Sequence, residues 1–531
     1  MTGASFMANF SLLDRPFIRR LTDQALLWYA RRRAAKIASA RPAALQRRIL
    51  LRLVALAADT SFGREHDFAH IRDVADYQKR VPLRDYEAFW SGYWQAPFPN
   101  LQGVTWPGQV PYFALTSGTT SGATKYLPLT RELLRSNTKA ALTSLAWFLD
   151  AHPDTPLFVG RLFFLGGSTD LVDLSAQFGV PPPDGRPILG GDLSGITTLE
   201  ASSWMQPFVF PPVELATLRD WEEKMTRLAQ ASSVMPITML SGVPSWMLVL
   251  FDRLSQVTGK ERIADTWPAL RLVIHGGTKF DPYRDLFRAR IGSDAVHFTE
   301  VYPASEAYIA AEDHRHGLLR LLVDHDIFYE FVPVAELDSP RPTRHTVADL
   351  QVGVNYAVVL TTCAGLWGYV LGDTVVFESR DPPLLRFSGR TKYFLSAFGE
   401  HLISEEVERA VAEAARGTGC SVIDFHVGPV FPQTTAQPGR HRYLIEFAPA
   451  APDLALFTKR LDGELCRSNE DYAAHRQGDL TMLAPEVVVV RRGGFADWMR
   501  SRGKLGGQHK VPRMDNSGDL TREMSRYFAG G

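Results

Sequence analysis

The sequence is poor in cysteine and has no excess of either charge. Only three cysteines occur in 531 residues, at the distant positions Cys363, Cys420 and Cys466. This number and spacing argue against a disulfide framework or a cysteine-based zinc site, and they favour a reducing compartment. Basic and acidic residues balance at 58 each, so the net charge does not indicate nucleic acid as a partner.

Long apolar runs are also lacking. No stretch approaches the ~20 consecutive apolar residues that span a bilayer, and the first residues lack the basic and apolar regions of a signal peptide. We therefore expect a cytoplasmic protein without a transmembrane segment. The first 52 residues carry eleven basic side chains against Asp14 and Asp23. This pattern fits either solvated helix faces or a surface for a membrane or partner.

The composition is that of a globular protein with large cores, with 45% hydrophobic and 22% charged residues. At about 100–200 residues per domain, the length predicts roughly two to four structural units. From residue 110 to 380, strand-like runs alternate with helix-like runs, which predicts an α/β architecture. Near residue 390 the pattern changes to that of a compact α+β unit. We therefore expect domains at 1–388 and 389–531.

Helical spacing is clear in the N-terminal part of the chain, over residues 22–58. Thr22 and Asp23 are expected to cap the start of this segment, and Pro42 is expected to divide it into two helices. The next segment, 60–67, is rich in polar residues and is predicted to be a loop.

The C-terminal part contains a helix start and two strand patterns. Ser404 is expected to cap a helix whose first turn carries Glu405 and Glu406, where negative charge is favourable. Alternating or β-branched residues predict strands at 442–447 and 486–490. Together these elements favour a separate small unit.

A stretch dense in hydroxyl side chains and glycine begins at Thr116. Glycine lets a backbone approach a ligand closely, hydroxyl and N–H groups donate to phosphate oxygens, and lysine adds a positive charge. The spacing is not that of a Walker A loop. The stretch alone is therefore compatible with phosphate binding and with a flexible turn. Its candidate phosphate contacts are Thr116, Ser117, Gly118, Thr119, Thr120, Ser121, Gly122 and Lys125.

Later motifs follow this loop in an order that resembles the adenylate-forming superfamily of acyl-CoA synthetases, luciferases and peptide-synthetase adenylation domains. The resemblance implies a large N-terminal multi-sheet α/β domain and a smaller, mobile α+β C-terminal domain. The later motifs are 269–282 with its Gly-Gly turn, Val301–Glu306, Tyr369–Asp373, and Ser388–Arg390 followed by Gly399 and Glu400.

Within that superfamily the chain most resembles the Gretchen Hagen family of acyl-acid amido synthetases, in its bacterial form. The resemblance extends from about residue 45 to 515. It implies that a carboxylic acid is activated by ATP as an acyl-adenylate and then transferred to an amine, usually that of an amino acid. The stretches that carry this resemblance are Asp59–His66, Arg80–Tyr86, Lys125–Thr130 and Gln508–Arg513.

The resemblance also implies roles for individual residues. Glu306 is expected to bind Mg²⁺, Asp373 to accept hydrogen bonds from the ribose, and Lys510 to approach the α-phosphate and carboxylate oxygens as a catalytic residue. Arg390 is expected at the hinge. The expected nucleotide contacts outside the phosphate loop are Gly276, Gly277, Thr278, Tyr302, Ala304, Ser305, Asp373 and Arg390.

Several residues leave alternatives open. Lys504, in a glycine-rich setting, competes with Lys510 for the catalytic role. His275 ends a predicted buried strand, where a histidine is more often packed than catalytic. The segments 163–173 and 241–246 are expected to line the acid pocket, and their apolar composition allows an aromatic or alkyl acid. Neither the acid, the amine nor an oligomeric state follows from the sequence.

Two other functions remain open, and departures from the family pattern motivate one of them. The motif before Asp373 usually contains arginines at the two places that Trp367 and Val370 hold here. Gly368 between them also lacks charge, and Pro303 replaces a frequent glycine. A non-catalytic nucleotide-binding protein would explain such losses. An acyl-CoA ligase would share the N-terminal motifs and differ in the acceptor.

Overall fold

The computed structural model describes most of the chain between residues 15 and 529. The gaps within it are 118–123, 168, 183, 201–202, 219, 278–279, 281–282, 338, 392–393, 396, 399, 401, 432–438, 470–471, 474–475, 477–481, 503–509 and 516–517.

Helices cover the surface of a large mixed sheet and one face of a small one. In the first part of the chain they are α1 Pro16–Ala38, α2 Pro42–Leu56, α3 Ser61–Glu65, α4 Val74–Arg80, α5 Tyr86–Phe89, α6 Arg131–Ala151, α7 Leu174–Phe178, α8 Leu193–Leu199, α9 Val213–Ala216, α10 Trp221–Ser232, α11 Pro244–Thr258, α12 Ile263–Thr266 and α13 Arg284–Ile291. In the last part they are α14 Ser404–Thr418, α15 Leu454–Ser468, α16 Gly494–Ser501 and α17 Asp519–Ala529.

The strands alternate with these helices in the first part of the chain and then become consecutive. Up to residue 303 they are β1 Tyr112–Ser117, β2 Thr124–Leu129, β3 Arg161–Phe164, β4 Val172–Asp173, β5 Leu189–Gly191, β6 Val209–Phe210, β7 Ile237–Gly242, β8 Leu272–Gly276 and β9 His297–Pro303. The remaining strands are β10 Tyr308–Asp313, β11 Leu318–Leu321, β12 Ile327–Pro333, β13 Asn355–Thr362, β14 Tyr369–Arg380, β15 Pro383–Arg390, β16 Phe394–Leu395, β17 Leu402–Ile403, β18 Ser421–Val430, β19 Arg440–Ala448 and β20 Glu486–Val490.

In the described part of the chain, these strands form a large sheet and three smaller ones. The large sheet has the order β12-β13-β14-β15-β11-β10-β9-β8-β7-β3-β6, and β6, β3, β7, β8 and β9 are parallel to one another. A second sheet has the order β2-β1-β5-β4, β16 pairs with β17, and the C-terminal sheet has the order β18-β19-β20. This is the predicted α/β architecture with a large multi-sheet N-terminal domain and a smaller α+β C-terminal domain. The carboxyl ends of β7, β8 and β9 meet at one edge, where open α/β sheets bind their ligands.

The N-terminal helices begin and end differently from the sequence prediction. Helix α1 begins at Pro16, so Thr22 and Asp23 lie within it and do not cap it. Asp23 instead accepts hydrogen bonds from the backbone N–H groups of Leu157 and Phe158, both at 2.8 Å. The predicted polar loop at 60–67 was also wrong, because it contains α3. There the hydroxyl of Thr60 caps a short turn by accepting from the N–H of Gly63.

The C-terminal domain is held by one apolar helix face against a three-stranded sheet. Helix α14 buries Val407, Ala410, Val411 and Ala414 completely, and they pack with residues of β18 and β19. Ser404 is the first helical residue, so the prediction that it caps the helix was wrong. The helix start is satisfied instead by Glu406, whose carboxylate accepts from the N–H of Ile403 at 3.0 Å. The strand predicted at 486–490 is confirmed, and the one predicted at 442–447 lies within the longer β19.

The segment that joins the two domains is anchored by a buried carboxylate. Glu400 accepts a hydrogen bond from His441 of β19, with 2.7 Å between Oε1 and Nε2. Both side chains are buried. A buried carboxylate that is hydrogen-bonded on both oxygens avoids most of the cost of desolvation; its other oxygen accepts from the N–H of Phe398 at 2.7 Å. Among the described helices, none has the length and apolar composition needed to cross a membrane.

Candidate active site

A large cleft runs along the carboxyl edge of the parallel strands and between the two domains. Its volume is about 2620 Å³, well above the roughly 300–1,000 Å³ of a typical small-molecule site. One end is lined by the segments after β8, β9 and β14, and the C-terminal domain closes it with the segment at 510–515. The predicted site residues that line the cleft are Lys125, Gly276, Gly277, Tyr302, Ala304, Ser305, Glu306, Asp373 and Lys510.

Asp373, the predicted ribose ligand, is held by a tyrosine of the neighbouring part of the sheet. The hydroxyl of Tyr302 donates to Oδ2 of Asp373 at 2.8 Å. Asp373 is buried and lies in β14, opposite Arg390 of β15 in the strand register. The backbone of Arg390 therefore lies beside Asp373, whereas its side chain is outside the described residues. A carboxylate fixed in this way keeps its orientation toward one side of the cleft.

Glu306, the predicted magnesium ligand, follows the end of β9 and is half-buried. The hydroxyl of Tyr369 donates to its Oε1 at 3.0 Å. Burial, reinforced by the nearby Glu306 carboxylate, raises the pKa of Tyr369 well above its usual value. The tyrosine therefore stays protonated and remains a donor to Glu306. Glu306 lies within a turn that is closed by a backbone hydrogen bond from the N–H of Ala304 to the carbonyl of Ala307 at 2.8 Å.

The Gly-Gly turn at the end of β8 requires glycine at both positions. A Cβ on Gly276 would lie 2.4 Å from the carbonyl oxygen of Val301 and 3.1 Å from Cδ of Pro303. The proline that departs from the family pattern therefore packs directly against this glycine. Gly277 has φ +77°, which L side chains rarely adopt. Thr278, which follows, lies outside the described residues.

Lys510 reaches into the cleft from the C-terminal domain. Its Nζ donates to the backbone carbonyl of Gly277 in the N-terminal domain. This contact brings the predicted catalytic lysine to the same turn that is expected to lie beside the nucleotide. The competing Lys504 lies outside the described residues, and so do Gln508 and His509 of the same motif.

The predicted phosphate loop follows β1 in the sequence and precedes β2. Thr116 of β1 is opposite Lys125 of β2, and Ser117 is opposite Thr124, so the two strands form an antiparallel hairpin. The side chains of Thr116 and Ser117 are outside the described residues. So are Gly118, Thr119, Thr120, Ser121 and Gly122 entirely.

Lys125, at the base of this hairpin, has an aromatic neighbour that the sequence analysis did not assign. Its Nζ lies 4.8 Å from the centre of the Tyr86 ring, a cation–π distance. The Tyr86 hydroxyl also accepts from the N–H of Tyr126 at 2.9 Å. Tyr86 ends one of the stretches that carry the family resemblance. The last residue of that stretch therefore contacts both Lys125 and the backbone of β2.

His275 packs beneath the Gly-Gly turn, as the alternative without a catalytic role predicts. Its ring stacks on Phe280 with 3.7 Å between ring centres, and it is 2% exposed. Burial, aided by the positive charge of Arg284, lowers the pKa of His275 to about 3. The imidazole is therefore neutral at physiological pH.

The far end of the cleft is mainly apolar and contains one buried lysine that sequence reasoning missed. Phe164, Leu165, Val243 and Trp246 are among its lining residues. Lys224 of α10 is 2% exposed and donates to the carbonyls of Gly167 and Ala216 at 2.7 and 3.0 Å. Burial lowers the pKa of Lys224 to about 8. This lysine fixes the turn after β3, and only its position in an amphipathic helix marks it in the sequence.

The two places where the family usually has arginine, and the uncharged Gly368 between them, lie in different surroundings. Trp367 is fully buried, and its Nε1 donates to the carbonyl of Thr105 at 2.8 Å. The backbone of Gly368 accepts from the N–H of Arg84 at 3.0 Å. Val370 lines the cleft. Among these positions, therefore, Val370 is the one at which the loss of an arginine changes the cleft.

Sequence models of one family match three successive parts of the chain. They are described as the GH3 family N-terminal domain, matched at residues 32–166, the central domain at 320–390, and the C-terminal domain at 405–519. Together they match more than half of the chain.

Curated relatives have the same family designation. The chain is 30% identical over 202 residues to an indole-3-acetic acid-amido synthetase, GH3.8, of Oryza sativa subsp. indica. The matched region covers 35% of this chain and 33% of that protein. The chain is 27% identical over 209 residues to a jasmonoyl–L-amino acid synthetase, GH3.5, of Oryza sativa subsp. japonica, covering 36% and 35% of the two chains. The matched region thus spans about a third of the length of these relatives.

Solved structures resemble the whole chain. A GH3.15 acyl acid amido synthetase superposes with a TM-score of 0.76 at 16% identity, covering 99% of this chain and 98% of the other. A 2-hydroxyisobutyryl-CoA ligase in complex with its acyl-AMP has a TM-score of 0.58 at 14% identity, covering 92% of each chain. At these identities the likeness establishes the fold.

Proposed function

Since the chain belongs to the GH3 family, we propose that it is an ATP-dependent acyl-acid amido synthetase. It converts a carboxylic acid to an acyl-adenylate with release of pyrophosphate, and it then transfers the acyl group to the amine of an amino acid, with release of AMP. The relatives named above act, by their names, on indole-3-acetic acid and as jasmonoyl–amino acid synthetases. For this chain we propose the class of the first substrate, a carboxylic acid, and not a particular acid.

One observation carries the adenylation half of the proposal. Lys510 from the C-terminal domain contacts Gly277, and Glu306 and Asp373 line the same cleft. A carboxylate that attacks the α-phosphate generates negative charge on phosphate oxygens, and positioned cations and donors stabilise that charge. A lysine, a magnesium-binding carboxylate and a ribose-binding carboxylate around one cleft supply these functions.

The donor set fits Mg²⁺ that arrives with ATP. Magnesium binds through one or two carboxylates together with substrate phosphate oxygens and water. Glu306 offers a hard oxygen donor, and Tyr369 holds one of its oxygens at 3.0 Å. When bound, the ion would neutralise phosphate charge. The described residues include no cluster of three or more His, Cys, Asp or Glu side chains arranged for a metal, which agrees with a metal held mainly by its substrate.

The phosphate loop and the hinge complete the proposal. We assign phosphate contacts to Thr116, Ser117, Lys125 and the loop between them, and we place the hinge at Arg390, with domains at 1–388 and 389–531. Strand β15 of the large sheet ends at Arg390, which supports a boundary in this region. Rotation of the C-terminal domain between the two half-reactions would withdraw Lys510 and admit the amine.

The remaining parts of the proposal concern location and origin. We infer a cytoplasmic enzyme of the bacterial form of the family. The three cysteines are unpaired in the structure, and Cys363 is buried, which supports a reducing compartment.

The proposal is tested by measuring pyrophosphate release across a panel of aromatic and alkyl carboxylic acids. Products formed with a pool of amino acids, or with CoA instead, are then identified by mass spectrometry. Acid-dependent pyrophosphate release and an amide product are expected. Formation of a thioester without any amide would establish that the protein is an acyl-CoA ligase. The 2-hydroxyisobutyryl-CoA ligase named above has a similar fold. ATP binding without pyrophosphate release from any acid would establish a non-catalytic protein.

A further inference from the structure

The residues that follow Lys510 in the chain are attached to the C-terminal sheet. The N–H of Val427 in β18 donates to the carbonyl of Arg513 at 2.8 Å, and the N–H of Asp515 donates back to the carbonyl of Val427 at 2.9 Å. Met514 pairs with Val427 in parallel register. Lys510 lies three residues before Arg513, so its position follows that of Arg513.

Arg513 also joins the two domains. One of its guanidinium nitrogens pairs with Asp424 of the same domain. The other, Nη2, donates to the hydroxyl of Tyr283 in the N-terminal domain at 2.9 Å. Tyr283 is 1% exposed and directly precedes α13. The guanidinium group is planar and offers several donors in a fixed arrangement, so it can serve both partners at once.

Tyr283 lies close in sequence to the turn that Lys510 contacts. Gly277, whose carbonyl accepts from Lys510, is six residues before Tyr283. The two contacts therefore join residues that are close in sequence in each domain. Lys510 and Arg513 of the C-terminal domain contact Gly277 and Tyr283 of the N-terminal domain. Burial raises the pKa of Tyr283 to about 12, so its hydroxyl remains neutral at physiological pH.

Two other contacts between the domains are exposed ion pairs. Arg500 pairs with Glu222 at 2.6 Å and Arg492 with Asp252 at 3.3 Å, and the side chains in both pairs are 43–67% exposed. Exposed ion pairs contribute little because water and salt screen them. The hydrogen bond from Arg513 to the buried Tyr283 is made out of water and has a fixed geometry, so its loss matters more.

We propose that Arg513, through the hydroxyl of Tyr283, is a positioning residue that latches the C-terminal domain in the arrangement in which Lys510 enters the cleft. The inference rests on the proposed function, because it assigns this arrangement to acid adenylation. The latch opens when the domain rotates for amide formation. Adenylation depends on the latch, and transfer from an acyl-adenylate that is already formed does not.

The test compares Tyr283→Phe with the wild type in two half-reactions. The substitution keeps the buried ring and removes only the hydroxyl. Acid-dependent ATP–pyrophosphate exchange is expected to fall about tenfold, the effect of losing one hydrogen bond to a charged group. Amide formation from a synthetic acyl-adenylate and an amine is expected to change less than about twofold. Arg513→Lys, which keeps the charge but not the fork-shaped donor set, is expected to behave in the same way.

Arg500→Gln and Arg492→Gln are the matched controls, since each removes an exposed pair between the same domains. Less than a twofold effect on either half-reaction is expected for both. Equal losses in both half-reactions of Tyr283→Phe, together with a lower melting temperature, would show a structural role and overturn the latch. Unchanged exchange in Tyr283→Phe would also overturn it.

A second readout does not depend on activity. Spin labels at Val234→Cys and Leu456→Cys, exposed positions in the two domains, report the distance between the domains, with Cys420 and Cys466 replaced by serine. Tyr283→Phe is expected to broaden the distance distribution, and Arg500→Gln is not. If the wild type adenylates no acid, the proposed function fails while this measurement still tests the latch. An identical distribution in Tyr283→Phe would refute it.

Discussion

The two walls of the cleft hold their functional groups in different ways. On the N-terminal wall, Asp373 and Glu306 each receive a hydrogen bond from a tyrosine, at 2.8 and 3.0 Å, and the tyrosines belong to the large sheet. On the C-terminal wall, Lys510 is exposed and lies in a segment without regular structure. The first wall is organised before any ligand binds. The second contributes its group only when the domain is in place.

Under the proposed function, this difference separates nucleotide binding from chemistry. Groups fixed in a sheet need no ordering at the moment of reaction, so the N-terminal wall would bind ATP and magnesium in either domain arrangement. A lysine delivered by a second domain can act in one half-reaction and leave for the other. Substitutions on the two walls should therefore affect different kinetic constants.

The largest effect is expected for Lys510→Ala on the C-terminal wall. Removal of a positioned cation from the transition state should lower acid-dependent pyrophosphate exchange about a thousandfold. ATP affinity, measured by calorimetry, should change less than about threefold, because the N-terminal wall is intact. Lys504→Ala is the control and should retain near-normal exchange. A large loss in Lys504→Ala with an active Lys510→Ala would show that the other lysine is catalytic.

The next effect is expected for Glu306→Gln on the N-terminal wall. The amide keeps the shape of the side chain and removes its charge, so exchange should fall about a hundredfold and the Mg²⁺ concentration needed for half-maximal rate should rise. Tyr369→Phe removes only the group that orients Glu306 and should cost about tenfold. If the magnesium dependence of Glu306→Gln equals that of the wild type, Glu306 does not bind the metal.

A smaller effect is expected at the ribose end of the same wall. Asp373→Asn should raise the KM for ATP about tenfold, since it weakens charge-assisted hydrogen bonds to the ribose. Tyr302→Phe leaves the carboxylate in place and should raise the KM only about threefold. The two walls differ as described only if kcat changes less than KM in both variants. A loss confined to kcat would place Asp373 in the chemical step.

Much of the N-terminal wall could be predicted because its residues lie in continuous motifs at strand ends. Glu306 and Asp373 were predicted from motifs that resemble those of the adenylate-forming superfamily, and the structure brings both to one cleft. Their partners Tyr302 and Tyr369 lie in the same motifs, yet the pairing of Tyr302 with Asp373 links residues 71 positions apart. A single sequence does not encode which tyrosine reaches which carboxylate, because that depends on the order of strands in the sheet.

The contacts between the domains could not be predicted for a related reason. Arg513 and Tyr283 are 230 residues apart, and the motif that ends at Arg513 does not indicate which residue of the other domain it contacts. The predicted helix boundaries were wrong where long-range contacts determine them. Asp23 has the character of a capping residue, but it binds the backbone of Leu157 and Phe158 from within α1. Local propensity therefore located the elements, and tertiary contacts set the uses of their polar side chains.

The smallest effect on adenylation is expected for His275, which packs beneath the N-terminal wall and contributes to stability. Its pKa is lowered to about 3 by burial and by Arg284, against about 6.5 in an unfolded chain. Below pH 6.5 this histidine is protonated in the unfolded state but not in the folded state. The free energy of unfolding therefore has its full value above pH 6.5 and decreases as the pH falls toward 3. The free energy of unfolding should fall by about 2 kcal/mol between pH 7.5 and 5.

Urea denaturation of the wild type and His275→Asn at both pH values measures this loss. The variant lacks the ring stacked on Phe280, so it should be less stable at pH 7.5. It should also lose about 2 kcal/mol less on acidification. Equal losses in the two proteins, or a change in the pH profile of adenylation in the variant, would mean that His275 titrates in the folded state and belongs to the reactive part of the wall.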